Sequence, residues 1–340
     1  MDAKRTTAAD VARAANVSLM TVSNVVNGRF EAMTDETRAA VEYQIKVLDY
    51  RPNASGRSLR LKQRFSIGIV IIDESPTFLA DPFITHLVAG LSNFLNIRGY
   101  ALVVQGMSLA RLHEATLIRR RETDALCVML SGPRDTRQRL IKRFSNLGQP
   151  IVLFQEPGPP NASVYSIRQD DFGGAKELAT HLLHRGFDEV AFLAPSVAWP
   201  AIEQRIAGAR SAFAAAGLTE QFRVIECGDG SIEATDAALS QQLAGSRPPK
   251  AFMGGNDQLG IAALKWASRR RLSVPGTIGV TGFNAFDVWR YTTPVLTTAA
   301  SPAYAIGSTA GEVVLDVLHG KKSTAREIVL PVTLQVGDST

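Results

Sequence analysis

The sequence is poor in cysteine and contains no long hydrophobic run. Only two cysteines, Cys127 and Cys227, occur among 340 residues, so a disulfide framework cannot organise the fold. No apolar stretch approaches the roughly 20 residues that span a bilayer, and no apolar segment follows Lys4 and Arg5 as it would in a secretory signal. The hydrophobic content of 45% and the length suit two or three domains with proper cores. Without a spanning segment, a signal or a disulfide framework, we expect a soluble, cytoplasmic protein.

Motifs of catalysis and of phosphate binding are also missing. The sequence contains no G-x-x-x-x-G-K-[ST] loop, no G-x-G-x-x-G after a strand, no G-x-S-x-G and no H-E-x-x-H. His181 and His184 are three residues apart, but no third ligand for a metal lies near them. We therefore expect no catalytic residues, no metal site and no cofactor, which argues against a dehydrogenase or a kinase.

The positive charge is concentrated at the N-terminus. The whole chain has a formal net charge of +5. Residues 1–64 hold 11 Lys and Arg and 7 acidic residues, so this segment carries +4 and the other 276 residues carry +1. A basic solvated surface would explain this pattern, but so would a nucleic-acid-binding headpiece attached to a neutral body.

From Phe65 onward, short apolar runs alternate with helical patterns, which indicates a parallel, doubly wound α/β architecture. About ten strands are too many for one small sheet, so we expect two α/β lobes with a ligand cleft between them. The Pro157–Pro160 segment is interpreted as a crossover between the lobes. The expected strands are 66–72, 101–104, 125–130, 151–154, 190–194, 222–226, 251–254, 278–282 and, at the C-terminus, 328–336. The expected helices are 83–98, 175–184, 201–216, 258–270 and 304–319.

The first 50 residues predict three short helices. Thr7 and Asp10 have the spacing of a capping box, and Ser18 can cap a second helix after a turn at Asn16. Val22, Val25 and Val26 would form the inner face of that second helix. Two short helices with such a turn make a helix-turn-helix, in which the second helix enters the major groove of DNA. An ordinary small helical bundle is the alternative. A third helix is expected to begin at residues 34–37.

A basic segment follows at Tyr50–Arg60. Leu59 stands isolated among Arg57, Ser58 and Arg60. A leucine presented by a basic segment can act as a wedge between base steps in the minor groove; otherwise it is a linker residue.

The motif D-V-A-x-x-A-x-V-S-x-x-T-V-S-x-V-V-N at residues 10–27 resembles the signature of the LacI/GalR (lactose and purine repressor) family. The resemblance extends along the chain through further motifs in the same order. These are L-x-Y-x-P-N at 48–53, S-I-G-I at 66–69, Asp81-Pro82-Phe83, Arg205-x-x-Gly208, Asn256-Asp257, Val274-Pro275, Gly282-Phe283-Asn284 and Pro294-x-Leu296-Thr297-Thr298.

This resemblance implies a specific domain organisation. An all-α helix-turn-helix headpiece would occupy residues 1–50, a hinge helix and linker 51–64, and a two-lobed core like type I periplasmic binding proteins 65–340. Within the core, lobe 1 would comprise about 65–160 and 290–322, and lobe 2 about 161–289 and 323–340.

The resemblance also implies contacts with DNA. Leu19, Met20 and Asn24 would face base edges from the second helix, since Asn can bond a base and Leu or Met can contact a thymine methyl group. Gly56 stands where the family usually has alanine, which predicts a hinge helix that depends on DNA and on its partner hinge for folding. Phosphate contacts are expected from Thr7, Ser18, Thr21, Ser23, Asn27, Thr34 and Thr37. The hinge contacts would come from Tyr50, Asn53, Gly56 and Leu59.

An effector pocket is expected between the lobes. Arg205 and Asn256 would hold effector hydroxyls or a carboxylate, and Trp199 would stack on a sugar or else pack within its lobe. Gln155 and Asn284 are amides where the family often has acids, which favours tolerance of an acidic sugar or phosphosugar. The family's pocket aromatic after Glu226 is replaced by Gly228-Asp229-Gly230. The expected pocket residues are Asp73, Phe83, Gln155, Trp199, Arg205, Asn256 and Asn284.

The function implied is sequence-specific transcriptional regulation, as a repressor. Two headpieces on a two-fold axis would read a near-palindromic operator in double-stranded DNA. The core helices near 83–98 and 304–319 could supply a homodimer surface, and the lack of a terminal leucine heptad predicts a dimer rather than a tetramer. A small molecule, such as a sugar or sugar derivative, would control operator affinity by induction or corepression. A non-sugar effector such as a nucleobase, a solute receptor without DNA function, and an architectural DNA-binding protein are the alternatives.

Overall fold

The computed structural model describes residues 6–31, 33–51, 63–159, 164–196, 199–321 and 325–340. The chain divides into two compact units, residues 1–64 and residues 65–340. The first is called the headpiece and the second the core. Among the described residues, no helix is long and apolar enough to cross a membrane.

The headpiece contains three helices, α1 (Ala8–Ala14), α2 (Leu19–Val26) and α3 (Asp35–Val47). Each begins at a hydroxyl cap, which satisfies a helix-end N–H that would otherwise have no partner. Asn16 has a φ of 53° in the turn between α1 and α2, a conformation that Asn tolerates. The predicted helix-turn-helix is therefore confirmed. The small apolar core that holds the helices together consists of Val11, Ala12, Val22, Val25 and Val41.

The core contains two parallel sheets covered by helices, as the alternating pattern predicted, and one antiparallel pair of strands. Its strands are β1 (Ser66–Ile72), β2 (Ala101–Met107), β3 (Ala125–Leu130), β4 (Ile151–Phe154), β5 (Val164–Gln169), β6 (Val190–Ala194), β7 (Phe222–Glu226), β8 (Ala251–Gly254), β9 (Gly279–Thr281), β10 (Thr298–Ala300), β11 (Glu327–Leu330) and β12 (Thr333–Gln335). Its α-helices are α4 (Pro82–Asn96), α5 (Thr116–Arg119), α6 (Arg134–Ser145), α7 (Asp171–His184), α8 (Pro200–Ala215), α9 (Ile232–Gln242), α10 (Asp257–Arg269) and α11 (Ala303–Leu318). Short 3₁₀ helices occupy Phe78–Ala80, Leu109–Glu114, Thr219–Gln221 and Asp287–Tyr291.

Lobe 1 is built on a six-stranded parallel sheet with the order β11-β5-β4-β3-β1-β2. Successive residues of β1 are buried on opposite faces: Ile67 and Ile69 lie in one apolar cluster, whereas Val70 and Ile72 lie in another. Burial on both faces explains why this strand reads as a continuous apolar run. Helices α4 and α11 cover the first of these faces and pack closely against each other.

Lobe 2 is built on a four-stranded parallel sheet with the order β7-β6-β8-β9. The antiparallel pair β10 and β12 joins its edge through bridges between Thr281 and Thr297 and between Asn284 and Ala300. Helices α7 and α8 pack on one face and α9 and α10 on the other. Gly208 allows the close approach of α7 and α8, since a side chain there would collide with the backbone carbonyl of Phe172.

The structure changes the expected lobe boundaries. Strand β5 pairs with β4, and β11 pairs with β5, so both belong to lobe 1 rather than lobe 2. Strand β10 adjoins the lobe 2 sheet instead of lobe 1. Lobe 1 therefore comprises residues 65–169 and 302–331, and lobe 2 comprises residues 170–301 and 332–340.

Two local expectations were also wrong, both at prolines. Pro157–Pro159 connects β4 to β5 within the lobe 1 sheet, so this segment is not a crossover between the lobes; Pro160 lies outside the described residues. The expected C-terminal strand is interrupted at Pro331, because proline lacks the N–H that a strand ladder needs. It forms β11 in lobe 1 and β12 in lobe 2.

Candidate functional site

The first turn of α2 exposes two large apolar side chains. Leu19 is 56% exposed and Met20 is 64% exposed, while Val22 and Val25 on the same helix are buried in the headpiece core. Asn24 is half-buried one turn further along. Leu19 and Met20 are adjacent, so they form an exposed apolar patch of the kind that contacts a partner, and α2 carries no acidic residue that would repel a polyanion.

The hydroxyl residues expected to contact phosphates have local roles as well. The Ser18 hydroxyl accepts a hydrogen bond from the Thr21 N–H at 3.1 Å, and the Thr34 hydroxyl accepts one from the Thr37 N–H at 3.2 Å. Thr7 and Asp10 form the predicted capping box at the start of α1. Asn27 Nδ2 donates to the carbonyl oxygen of Ser23. These exposed caps place hydroxyls at helix N-termini, which are favourable positions for binding an anion.

The remaining expected DNA contacts divide into two groups. Tyr50 is half-buried and packs against the headpiece core, so it has a structural role that the sequence did not indicate. Asn53, Gly56 and Leu59 lie outside the described residues. The exposed Arg29, which follows α2, is a further cation that sequence reasoning did not single out.

A cleft between the two lobes of the core brings together all seven expected pocket residues. Lobe 1 contributes side chains from the ends of β1, β3 and β4 and from the start of α4, and lobe 2 contributes the start of α8 and the loops before α10 and after β9. The carboxyl ends of parallel strands are where ligands bind in such folds. The lining residues are Asp73, Asp81, Phe83, Ile84, Met129, Leu130, Gln155, Trp199, Pro200, Ala201, Ile202, Arg205, Asn256 and Asn284.

Arg205 is the central cation of the cleft and is only 4% exposed. Its Nε donates to Asp171 Oδ1 at 2.7 Å, its Nη1 to the carbonyl oxygen of Gly255 at 2.6 Å, and its Nη2 to Asn284 Oδ1 at 3.1 Å. The guanidinium also lies 3.7 Å from the centre of the Phe283 ring. These contacts use three of the five guanidinium N–H groups, so two can donate to a ligand.

Asp171 balances the charge of Arg205, and sequence reasoning missed it. Gln169 Nε2 donates to its Oδ1 at 2.8 Å and Gln155 Nε2 to its Oδ2 at 3.2 Å. Burial raises the pKa of Asp171, while Arg205 acts in the opposite direction. The structure thereby explains the amide at Gln155: a carboxylate there would face the buried carboxylate of Asp171, whereas the amide donates to it.

Two other polar side chains of the cleft are helix caps. Asp81 Oδ1 accepts from the N–H of Phe83 at 2.8 Å at the start of α4, and Asn256 Oδ1 accepts from the N–H of Leu259 at 2.9 Å at the start of α10. Burial raises the pKa of Asp81, and the carboxylate of Asp73 acts in the same direction. The cap uses the amide oxygen of Asn256, so its NH₂ group can serve a ligand.

The rest of the cleft wall is apolar. Phe83, Ile84, Met129 and Leu130 come from lobe 1, whereas Trp199 lies opposite them on lobe 2. Trp199 also packs against the lobe 2 core, as one of its two interpretations expected; its stacking on a sugar stays a prediction. An apolar cleft with a few convergent polar groups is the usual form of a small-molecule site. Among the described residues, no cluster of three or more His, Cys, Asp or Glu side chains could hold a metal ion.

Comparisons with known proteins find matches for both the headpiece and the core. A model of bacterial regulatory proteins of the lacI family matches residues 7–53, and a periplasmic binding protein-like domain matches residues 179–340. The HTH-type transcriptional regulator CelR of Thermobifida fusca is 27% identical over 339 residues, which cover 99% of this chain and 98% of the relative. The HTH-type transcriptional repressor PurR of Erwinia tasmaniensis is 28% identical over 329 residues, which cover 96% of this chain and 94% of that relative.

Solved structures share the fold. The lac repressor dimer bound to operator and the anti-inducer ONPF superposes with a TM-score of 0.83 at 24% identity, covering 99% of each chain. A complex of the transcriptional regulator CelR with cellobiose gives a TM-score of 0.71 at 24% identity and covers 99% of this chain and 100% of that one.

Proposed function

The chain belongs to the lacI family of bacterial regulatory proteins, and we propose that it is a transcriptional repressor whose operator affinity is controlled by a sugar bound in the cleft. The observation that carries the proposal is the presence, in one chain, of an apolar recognition surface at Leu19 and Met20 and a cleft lined from two lobes. A solute receptor has no use for the first feature, and an architectural DNA-binding protein has none for the second.

On DNA, Leu19, Met20 and Asn24 read base edges in the major groove. The two apolar side chains contact thymine methyl groups and the amide bonds a base. Thr7, Ser18, Thr21, Ser23, Asn27, Thr34 and Thr37 bind phosphates, which fixes the register of α2 without reading sequence. The +4 charge of residues 1–64 supplies a salt-dependent attraction to the polyanion. For Asn53, Gly56 and Leu59, which lie outside the described residues, a contact with DNA is carried over from the family resemblance alone.

The effector is an uncharged, hydroxyl-rich sugar. Asp73 and Asp81 bring two carboxyl groups to the cleft, and the positive charge of Arg205 is already balanced by Asp171. An acidic sugar would face these carboxyl groups with no unbalanced cation among the described lining residues. A neutral sugar instead receives N–H donors from Arg205 and Asn256, acceptors from the two Asp residues, and apolar contact from Phe83 and Trp199. A protein similar to this chain, CelR, has been solved with cellobiose.

The repressor acts as a homodimer in the cytoplasm, where its operator lies. Two headpieces are needed to read two half-sites, because a single small headpiece makes too few base contacts to discriminate strongly. A lac repressor of the same fold has been solved as a dimer on its operator. The protein works by binding and changes no covalent bond.

Selection from a random DNA library tests this function. The full chain should enrich a near-palindromic sequence, and the complex should weaken as salt rises and when the matching neutral sugar is added. The Leu19→Ala/Met20→Ala/Asn24→Ala variant should lose about 100-fold or more in specific affinity while retaining non-specific binding. The control is Tyr43→Ala/Val47→Ala, because both of these side chains are exposed on α3. Recovery of unrelated sequences with no common motif would contradict the proposal.

A further inference from the structure

A buried arginine outside the effector cleft connects the two lobes. Arg137 lies on α6 of lobe 1, and its side chain is only 2% exposed. Within lobe 1, its Nε donates to a carboxylate oxygen of Glu156 and its Nη1 to the carbonyl oxygen of Gly132. Towards lobe 2, its Nη2 lies 3.2 Å from Oε2 of Glu203, which is in the first turn of α8.

Both carboxylates that bind Arg137 lie next to residues that line the cleft. Glu156 directly follows Gln155, and Glu203 directly follows Ile202 and precedes Arg205 by half a turn. Neither Arg137 nor Glu203 itself lines the cleft. The ion pair therefore joins one wall of the effector site to the other from outside the site.

The two carboxylates have different roles because they differ in burial. The side chain of Glu156 is 3% exposed, whereas that of Glu203 is 42% exposed. A guanidinium cannot lose its proton in a protein, so Arg137 needs a buried counter-charge at all times. Glu156 provides that charge within lobe 1. Glu203 can therefore leave when the lobes separate, since its carboxylate passes into water and Arg137 keeps one partner.

We propose that the Arg137–Glu203 pair is an interlobe latch that holds the core in its effector-binding arrangement, with Arg137 as a positioning residue for the site. The inference rests on the proposed function, since it assigns a regulatory role at the same cleft. In this arrangement Phe83 of lobe 1 and Trp199 of lobe 2 line one cleft, so a ligand in it contacts both walls at once. The ion pair is lost when the lobes separate, so it stabilises the closed arrangement and not the open one.

The consequence concerns the population of the binding-competent state. Apparent effector affinity is reduced by whatever fraction of the protein is open. A latch that is lost on opening raises the closed fraction before any ligand arrives, and it slows the opening that releases the ligand. The residue pair thereby sets how much effector is needed without contacting it.

The test compares two glutamates in the first turns of lobe 2 helices. Glu203→Gln removes the carboxylate of the latch, and Glu233→Gln removes one from the first turn of α9, where no ion pair of Glu233 is recorded among the described residues. Both variants, and the parent, are made in the full chain and carry two spin labels, which are attached to cysteines introduced by Lys142→Cys on α6 and Gln241→Cys on α9. Both positions are exposed, and the native cysteines are buried. Pulsed electron spin resonance then measures the distance between the labels in the absence of any ligand.

For Glu203→Gln, we expect the ratio of closed to open molecules to fall by about 1.5-fold to fivefold, the range for a partly exposed ion pair. Glu233→Gln should match the parent, and Glu203→Asp should recover part of the closed population. Thermal unfolding should stay within a few degrees of the parent, because Arg137 retains Glu156.

An unchanged distance distribution in Glu203→Gln, or an equal change in Glu233→Gln, would overturn the latch. These results are independent of the repressor proposal, because the measurement uses neither DNA nor sugar. Conversely, failure of the DNA selection would contradict the repressor function and leave the distance measurement to decide the latch by itself.

Discussion

The two acids of the lobe 1 wall and the arginine of the lobe 2 wall are held in different ways. In lobe 1, Asp73 and Asp81 accept hydrogen bonds from backbone N–H groups only two residues away, those of Ser75 and Phe83. In lobe 2, Arg205 is held by Asp171, Gly255 and Asn284, which are 34, 50 and 79 residues away in the chain.

This difference separates the residues that select a ligand from the residue that also helps to hold the fold of lobe 2. A side chain fixed by its own turn can change without disturbing distant strands, so the lobe 1 acids are free to define which ligand binds. A side chain fixed by three distant segments is coupled to their positions, so Arg205 links ligand binding to the fold of lobe 2. Variants on the two walls should therefore differ in whether they alter stability, binding or both.

The largest effect is expected when the counter-charge of Arg205 is removed. Asp171→Asn leaves a buried guanidinium without a carboxylate and should lower the free energy of unfolding by about 3–5 kcal/mol. Urea unfolding followed by tryptophan fluorescence measures this loss. Asp73→Asn is the matched change on the lobe 1 wall and should cost less than about 1 kcal/mol, since Asp73 is only half-buried. Equal losses in the two variants would show that the walls do not differ.

The contrast between local and long-range contacts also decides what could be predicted from the sequence. The caps at Thr7, Ser18 and Thr34 follow from short spacings, and the apolar runs of β1 and β3 follow from burial on both faces. Asp171 could not be found in this way, because its contact with Arg205 depends on β5, which was missed. The β5 segment, V-Y-S-I-R-Q, mixes apolar with polar residues, and its outer neighbour is the short strand β11.

The expected pocket residues came from the family resemblance and, for Asp73 and Phe83, also from their places at the end of the first strand and the start of the first core helix. Their bonding was not predictable, because it depends on packing between segments far apart in sequence. The expected tolerance of acidic sugars illustrates this point. By comparison with the family, Gln155 removes a negative charge from the pocket, whereas the structure shows its amide bound to the buried carboxylate of Asp171.

The second effect concerns ligand binding. Arg205→Lys replaces a planar fork with a single ammonium group, which cannot reach Asp171, Gly255 and Asn284 simultaneously. We expect the affinity for the effector sugar to fall about 10-fold to 100-fold, with a smaller loss of stability than in Asp171→Asn, since lysine still provides a cation for the carboxylate of Asp171. Calorimetric titration measures the affinity. The interpretation fails if Arg205→Lys binds the sugar as tightly as the parent.

The third effect is a pH dependence of the free energy of unfolding, and it originates in lobe 2. Burial raises the pKa of Asp257 to about 7 from 3.8, although Thr298 Oγ1 donates to its Oδ1 at 2.5 Å. The folded state therefore keeps a proton that the unfolded state releases between these values. Its stabilising contribution is complete below pH 3.8 and is lost as pH rises to about 7.

Asp257→Asn tests this dependence. Because asparagine does not titrate, the variant should lose less free energy of unfolding than the parent between pH 5 and pH 8. Chemical unfolding at several pH values measures the slope for both proteins. Parallel slopes would show that Asp257 does not titrate in this range.

The smallest effect compares the two helix caps of the cleft, one on each wall. Asp81→Ala and Asn256→Ala each remove the acceptor for one helix-end N–H, at Phe83 and Leu259 respectively, and each should cost about 1 kcal/mol of unfolding free energy. Asp81→Asn keeps an acceptor oxygen and removes the carboxyl group, so its unfolding free energy should remain near that of the parent. Sugar titration of the same variants then separates capping from recognition: if Asp81 accepts a sugar hydroxyl through its charge, Asp81→Asn binds more weakly while its stability is unchanged.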